Sequence, residues 1–433
     1  MKMKTIKIQF LVFVLLLCAG TIAHAEKLLL RGATIHPIVG PALSPGEILI
    51  DGATISAIDR KIDDATAKVV ELPKGSHIYP GLIAANTSLG LVEIGAVRAT
   101  RDTTEVGQYA PDVQSWIAVN PDSELIPVAR ANGITHAQPV PTGGIVCGQS
   151  GLIALSGWTT EHMTVKKPVG LHLTWPSMAL DPRPREEVRD RTRWKSLEEQ
   201  GRDRAARLRE LDEFFAEARA YAKARSDSSA GIVPAWEAML PVVNGQIPIM
   251  VGADEVREIR AAVRWAETNK FKIVIVGGRD AVKAADMLAS AKIPVIFEAV
   301  YLMPADDADS YDVHFSTPGE LSKKGVKVIL SEGGRADATS ARNLPYTAAQ
   351  AVAYGLSAEE ALKAITLYPA EIFGVSDRLG SIATGKEASI IVTDGDILDI
   401  RSNVKRMWIA GQEASLESRH TRLYDKYQRR PKS

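Results

Sequence analysis

Residues 271–300 read FKIVIVGGRDAVKAADMLASAKIPVIFEAV. An Ile- and Val-rich run, FKIVIVGG, stops at a glycine pair. DAVKAADMLASAK then repeats Ala, Val, Met and Leu at helical spacing, and IPVIFEAV is a second apolar run. A strand–helix–strand unit of this kind pairs its strands in parallel, because a parallel return needs a crossover of a dozen or more residues and the helix supplies it. The same texture extends outward in both directions. HIYPGLIAANTS, GITHAQPV, VGLHLTW, IPIMVGA and VKVILSEGG are further strand candidates, and SELIPVARANG is a further helix candidate. Roughly seven or eight such units predict an α/β fold, a distorted (β/α)8 TIM-like barrel over residues 80–375, with any chemistry at the carboxyl ends of its strands.

The flanks differ. LLLRGATIHPI, GEILIDGATISAIDRKI and AKVVELP on one side, and ASIIVTDGDILDI and NVKRMWIAGQEA on the other, are short strand-like runs broken by Gly, Pro and the turn pairs Asp51-Gly52 and Asp394-Gly395. Neither patch has enough strands for a good core alone. The expectation is one small β-sandwich domain built from residues 26–79 and 376–412, followed by a loose basic tail, 413–433. Ahead of it, Lys2, Lys4 and Lys7 precede the apolar run FLVFVLLLCAG, and AHA ends the segment. That is the pattern of a signal peptide over 1–25, which puts the mature protein in the periplasm or outside the cell. The run is shorter than the ~20 apolar residues of a membrane span, so no span is expected after cleavage.

The chain has 433 residues, with 52 Lys and Arg against 52 Asp and Glu, so no positive surplus exists to neutralise a phosphate backbone. A small-molecule ligand or another protein is the expected partner, and nucleic acid is not. Without the signal segment Cys147 is the only cysteine, so an internal disulfide is ruled out. Residues 183–226 depart from the alternation: they are highly charged, with Trp194, Leu197, Ala205, Leu208, Leu211, Phe215, Ala218 and Ala222 spaced by threes and fours. They predict a long amphipathic helical insertion, either packed by a narrow stripe on its own barrel or used as an arm toward a second subunit, and removable without unfolding the barrel.

IYPGLIAANTSLGL, ANGITHAQPVP and the closing AITLYPAEIFGVSDRLGSIATGKEASIIVTDGDILDI together resemble the amidohydrolase superfamily in its imidazolonepropionase-related branch. The resemblance covers nearly the whole mature chain. It implies a barrel beside a β-sandwich made from both termini. It also implies one or two divalent metals at the barrel mouth whose bound water hydrolyses C–N bonds, a chemistry that needs several imidazoles and carboxylates on one ion. At the positions that match the family's motifs, this sequence has other residues. Ala84, Asn86 and Ser88 stand where the first strand carries Asp and His-x-His. Gly252 and Val276 stand at two later strand ends that carry histidine, Ala154 at a bridging lysine used by some members, and Glu332 at the final aspartate. Asn and Ser oxygens are poor substitutes for imidazole on zinc, and Gly and Val have no ligand atom.

The remaining histidines are scattered, with none paired at helical or strand spacing. His136 and His172 fall in predicted strands, where either is a ligand contact or a hydrogen-bonded core imidazole. Glu332 is the candidate for catalytic chemistry, unless it is paired with Arg335. Arg98 and Arg101, on the loop after the first strand, are spaced to clamp an anionic group, unless they neutralise Glu93, Asp102 and Glu105. The expected pocket therefore includes Asn86, Ser88, Arg98, Arg101, His136, Gly252 and Val276, with no metal and no cofactor. Two functions follow. One is a metal-free ligand-binding protein, or a non-catalytic partner in a homo-oligomer or beside an active amidohydrolase paralogue. The other is a hydrolase of non-peptide C–N bonds in cyclic amides. Whether the chain is an enzyme stays open at this point. Mass spectrometry of exported protein is expected to show a chain starting at Glu26; an intact Met1, or lipid on Cys18, overturns the signal reading.

Overall fold

The computed structural model describes residues 26–226, 231–332 and 338–431; the expected signal segment and Arg335 lie outside them. Eight strands come from the two flanks: β1 (Leu28–Ile35), β2 (Leu43–Asp51), β3 (Thr54–Asp59), β4 (Lys68–Glu71), β5 (His77–Pro80), then β14 (Ile390–Thr393), β15 (Val404–Ile409) and β16 (Gln412–Glu413). They form one sheet in the order β16-β15-β14-β5-β1-β2-β3, with β4 added alongside β1. Leu30, Ile35, Ile48, Ile78, Ile390 and Trp408 are among the side chains of its own core. The Asp51-Gly52 pair turns β2 into β3, with Gly52 at φ +58°. The tail is not wholly irregular, since Arg419–Gln428 is a helix and Arg422 pairs with Glu124.

The second sheet holds β6 (Leu82–Thr87), β7 (Ile134–Pro139), β8 (Val146–Ala154), β9 (Thr164–Thr174), β10 (Ile249–Ala253), β11 (Ile273–Gly277), β12 (Val295–Phe297) and β13 (Val328–Leu330), paired in that order. Alternation along these strands sorts side chains to two faces. Ile83, Ala85, Met250, Val274, Val276, Ile296 and Ile329 meet inside, over a floor made by Ala370, Phe373, Val375 and Leu379. Their neighbours Leu82, Ala84, Val251, Ile275, Val295, Phe297 and Leu330 face the helical layer. The distorted barrel is therefore present. Its distortion is specific: β8 runs antiparallel to both β7 and β9, while the other pairings are parallel. The glycine-rich stretch at 142–151 was not among the strand candidates; Gly148 and Gly151 lie inside β8, where Val113 leaves no room for a side chain at Gly148 and Trp116 packs tightly on Gly151.

HIYPGLIAANTS also splits. Gly81 donates to Ser389 O in the terminal sheet at 2.9 Å, and the next amide, Leu82 N, donates to Gly133 O beside the barrel at 3.0 Å. A β-carbon at Gly81 would lie 2.1 Å from Thr135 Oγ1, so only glycine fits the crossing.

The charged segment is not outside the alternation. Between the parallel neighbours β9 and β10 the crossover is made by Leu197–Ser226 and Pro234–Val243. The long helix buries Leu211, Phe215, Ala218 and Tyr221, and Phe215 packs on Trp265 and Phe271 of the barrel's outer layer, with ring centroids 5.0 Å away in each case. Its second half is core, and deletion of the whole segment would remove a stave's support. The stretch before it and the first turns bury no residue, and the second half keeps an exposed face at Glu213, Glu217 and Ala220. Phe215→Ala is expected to cost about 3–5 kcal/mol, whereas Glu198→Ala, on an exposed ion pair with Arg202, should change stability by less than about 0.5 kcal/mol. Urea denaturation of both variants checks this, and a neutral Phe215→Ala would return the helix to the status of an arm.

Candidate functional site at the barrel mouth

The carboxyl ends of the strands surround a cavity of about 340 Å³, lined by Asn86, Cys147, His172, Gly252, Val276 and Glu298, with Asp254, Glu258 and Trp175 at its rim. Asn86 is the pivot. It adopts φ +47°, a left-handed conformation that asparagine tolerates better than most residues. Two hydrogen bonds hold it there: its backbone amide donates to Gln138 Oε1 at 3.0 Å, and its side-chain Nδ2 donates to Glu298 Oε1 at 2.5 Å. Glu298 follows β12, and Ile296 two positions earlier faces the barrel interior. Ser331, just past β13, donates to Ala85 O at 2.7 Å and thereby ties the last strand to the first.

Behind the cavity wall, Gln138 Nε2 donates to Ser150 Oγ at 2.9 Å, and Ser150 Oγ lies 2.8 Å from His172 Nε2. Ser150 is fully buried, so it is a structural hydroxyl and no nucleophile. Burial pushes His172 down to about 3 and keeps its imidazole neutral. Cys147 Sγ rests 3.5 Å from Thr174 Oγ1, and burial pushes its thiol up, which leaves it unreactive. Glu332 accepts a hydrogen bond from Thr347 Oγ1. Burial, and then the charge of Glu298, push its carboxyl up to about 7.

Comparisons with known proteins bear on this frame. Residues 314–414 match the family model described as Amidohydrolase family. Amidohydrolase tasK of Hapsidospora irregularis is 22% identical over 415 residues, covering 86% of this chain and 40% of that protein. An adenine deaminase of Methanothermobacter thermautotrophicus is 27% identical over 205 residues, covering 39% of this chain and 36% of that protein. The chain thus spans less than half the length of both curated relatives. The solved structure of an amidohydrolase from Thermotoga maritima MSB8 superposes with a TM-score of 0.78 at 27% identity, covering 90% of this chain and 99% of that one. By sequence in its carboxyl-terminal part, and by fold over most of its length, the chain is similar to the amidohydrolase superfamily.

In this amidohydrolase-like barrel, Asn86, Gly252 and Val276 line the cavity together. Ser88 does not line it: its carbonyl accepts from Leu91 N and Val92 N and starts a turn. Arg98 and Arg101 are exposed on the loop after β6 and line no part of the cavity; Arg98 sits in a 3-10 turn and Arg101 bridges Val92 through the backbone. Glu93 is spent on Ser123 Oγ and Glu124 N, where it caps the next helix. His136 faces inward but lies near the barrel floor, pairing in register with Ile83 and Ala154. Its Nδ1 is 2.9 Å from Thr135 Oγ1, its Nε2 is 3.8 Å from Glu387, and burial lowers it to about 4. Sequence reading missed Glu298, Gln138 and Ser150. Glu298 and Gln138 were findable, because each continues the inward parity of a residue two positions earlier, Ile296 and His136; Ser150 became readable only once β8 was known to be a strand.

A carboxyl raised in the folded state favours its protonated form there, so folding is penalised progressively as pH climbs from the ordinary carboxyl range to about 7. Glu332→Gln keeps an acceptor for Thr347 and removes the penalty. Between about pH 5 and pH 8, wild type should lose roughly 1–3 kcal/mol of unfolding free energy relative to this variant. Urea denaturation across that range measures it, and parallel pH curves would mean that Glu332 titrates as an ordinary carboxyl.

Proposed function

We propose that this amidohydrolase-fold protein, of the imidazolonepropionase-related branch, takes a small polar molecule into the barrel-mouth cavity without a divalent metal, as a ligand-binding or partner subunit. The observation that carries the reading is the donor set. The cavity is lined by an amide (Asn86), a hydrogen (Gly252), an isopropyl group (Val276), a buried thiol (Cys147), the carboxyl groups of Glu298, Asp254 and Glu258, and one imidazole whose Nε2 is engaged by Ser150. A catalytic zinc needs about three protein ligands plus water. Among the described residues no group of three or more His, Cys, Asp and Glu is placed to hold a metal ion. Space is not the obstacle at Gly252, where an added β-carbon would make only ordinary contacts with the Leu173 carbonyl and Thr174.

A second reading is favoured by one feature, the carboxyl of Glu332, which burial and then the charge of the cavity-lining Glu298 push up to about 7. A carboxyl held protonated near neutrality is the kind of group that acid–base hydrolysis uses. On that reading the chain hydrolyses a cyclic amide without metal, and Glu298→Gln and Glu332→Gln both abolish turnover. Export to the periplasm or medium is part of the proposal and rests on the Lys-flanked apolar run ending in AHA. Partnership with a second copy or an active paralogue is also part of it.

Elemental analysis of the full chain, purified without chelator and again after incubation with zinc, is expected to find substoichiometric metal, and restoring histidine at Gly252 and Val276 alone should change little. About one metal per chain, with hydrolysis lost to chelator and regained with zinc, would overturn the metal-free reading.

A further inference from the structure

Two surface features that the ligand cavity does not use fit each other. One is the terminal helix Arg419–Gln428. Its root is fixed: the buried Ser418 caps it by accepting from Thr421 N, and Arg422 reaches Glu124 at 3.0 Å. Every residue of the helix itself is exposed. Leu423, Tyr424 and Tyr427 share one face, at helical spacings of three and four, and the two tyrosines are 63% and 62% exposed. Lys426 lies over the Tyr427 ring, 5.8 Å from its centroid. Among the described residues, Arg419, Lys426, Arg429 and Arg430 pair with no carboxylate; Arg422 alone takes Glu124 and Glu417.

The other feature is a groove of about 780 Å³ along the loop that follows β6. Asp102, Glu105 and Asp112 line it, together with Ile117 and with Val106, which is 98% exposed. No lysine or arginine lines it among the described residues, and none of the three carboxylates forms an ion pair or a side-chain hydrogen bond there, although Arg98 and Arg101 are close in sequence. Pro141 lines both this groove and the ligand cavity, so whatever fills the groove borders the barrel mouth.

We propose that the terminal helix of one chain docks in the acidic groove of a second copy, and that two such contacts make a dimer in which each ligand cavity is bordered by the partner's helix. Within one chain neither surface covers the other, because Val106 and both tyrosines are open to solvent. Charge complementarity names the occupant. The chain has 52 Lys and Arg against 52 Asp and Glu, so a cationic helix is balanced by acidic surface elsewhere on the same molecule, and the groove is such a surface. Tyrosine and arginine are also the residue types that concentrate binding energy at protein interfaces, whereas one leucine and two tyrosines offer a bilayer little apolar area. A helix-into-groove contact joins unlike patches, and it closes when two copies exchange helices about a two-fold axis. The inference deepens the second-copy partnership proposed above and rests on that part of the reading alone.

The test is sedimentation equilibrium of the full chain over a concentration series, with circular dichroism as the control for folding. Wild type should dimerise, and added salt should dissociate the dimer. One variant carries Asp102→Lys, Glu105→Lys and Asp112→Lys; another carries Lys426→Glu, Arg429→Glu and Arg430→Glu. All six side chains are exposed, so both variants should fold, and each should dimerise at least about tenfold more weakly than wild type. A mixture of the two should recover association, because each helix then meets a groove of opposite sign. Dimers that neither reversal weakens, or a mixture that does not recover, would overturn this interface and leave the second-copy partnership standing; a wild type that stays monomeric would overturn both. A monomeric chain that binds phosphatidylglycerol vesicles, and loses that binding on reversal of the helix but not of the groove, would assign the helix to a membrane surface instead.

Discussion

The architecture depends on one crossing, at Gly81, where the backbone leaves the terminal sheet and enters the barrel within a single residue. Pro80 is still paired with Ile390, and Leu82 already pairs with Ile134. Because side chains alternate along a strand, fixing Leu82 outward fixes Ile83 and Ala85 inward, and the left-handed turn at Asn86 then breaks the alternation and brings that residue to the mouth. A one-residue slip at the crossing would turn the core face of β6 onto the helical layer. The contact that forbids the slip is steric: Thr135 occupies the space that any other residue at position 81 would claim.

From that register the mouth is assembled as a connected polar set. Asn86 joins Gln138 through its backbone and Glu298 through its side chain, Gln138 reaches Ser150, and Ser150 reaches His172. Leaving any of these buried groups without its partner would cost about 1–3 kcal/mol. The set therefore does two jobs at once, holding the left-handed turn at Asn86 and orienting the one imidazole that lines the cavity.

Much of this was legible in the sequence. The β/α texture around 271–300 gave the parallel staves, and Asn86, Gly252 and Val276 were placed at the mouth by the resemblance of their strands to the amidohydrolase motifs. What failed did so for identifiable reasons. Val146–Ala154 carries Gly148 and Gly151, residues that usually break strands, and only the close approach of Val113 and Trp116 explains them. Leu197–Ser226 is so heavily charged that its burial of Phe215 was underweighted, although a crossover between two parallel strands had to exist somewhere in that span. Arg98 and Arg101 were assigned to the pocket by proximity in sequence and Ser88 by its match to the family's first-strand motif, and a loop after a strand can turn away from the mouth that the strand points to. His136 shows the converse: inward facing is not enough when the residue sits two layers too low.

The antiparallel strand β8 and the side-chain tie from Ser331 to Ala85 imply an order of assembly. β8 and β9 pair across a short hairpin, with Leu152 opposite Lys166, whereas Ser331 and Ala85 are 246 residues apart. Loop-closure entropy rises by only about 0.6 kcal/mol per doubling of length, so the roughly four doublings between these two closures amount to about 2.5 kcal/mol. That is small beside the burial it secures, but it places the hairpin among the least costly pairings to form and the seam between first and last staves among the most costly. Asn86 stands on one side of that seam and Ser331 on the other, with Glu298 one strand further in, after β12. The ligand site is thus a product of ring closure: it is complete only when the two ends of the barrel segment have met, and a chain halted short of β13 would carry most of the sheet and none of the finished mouth.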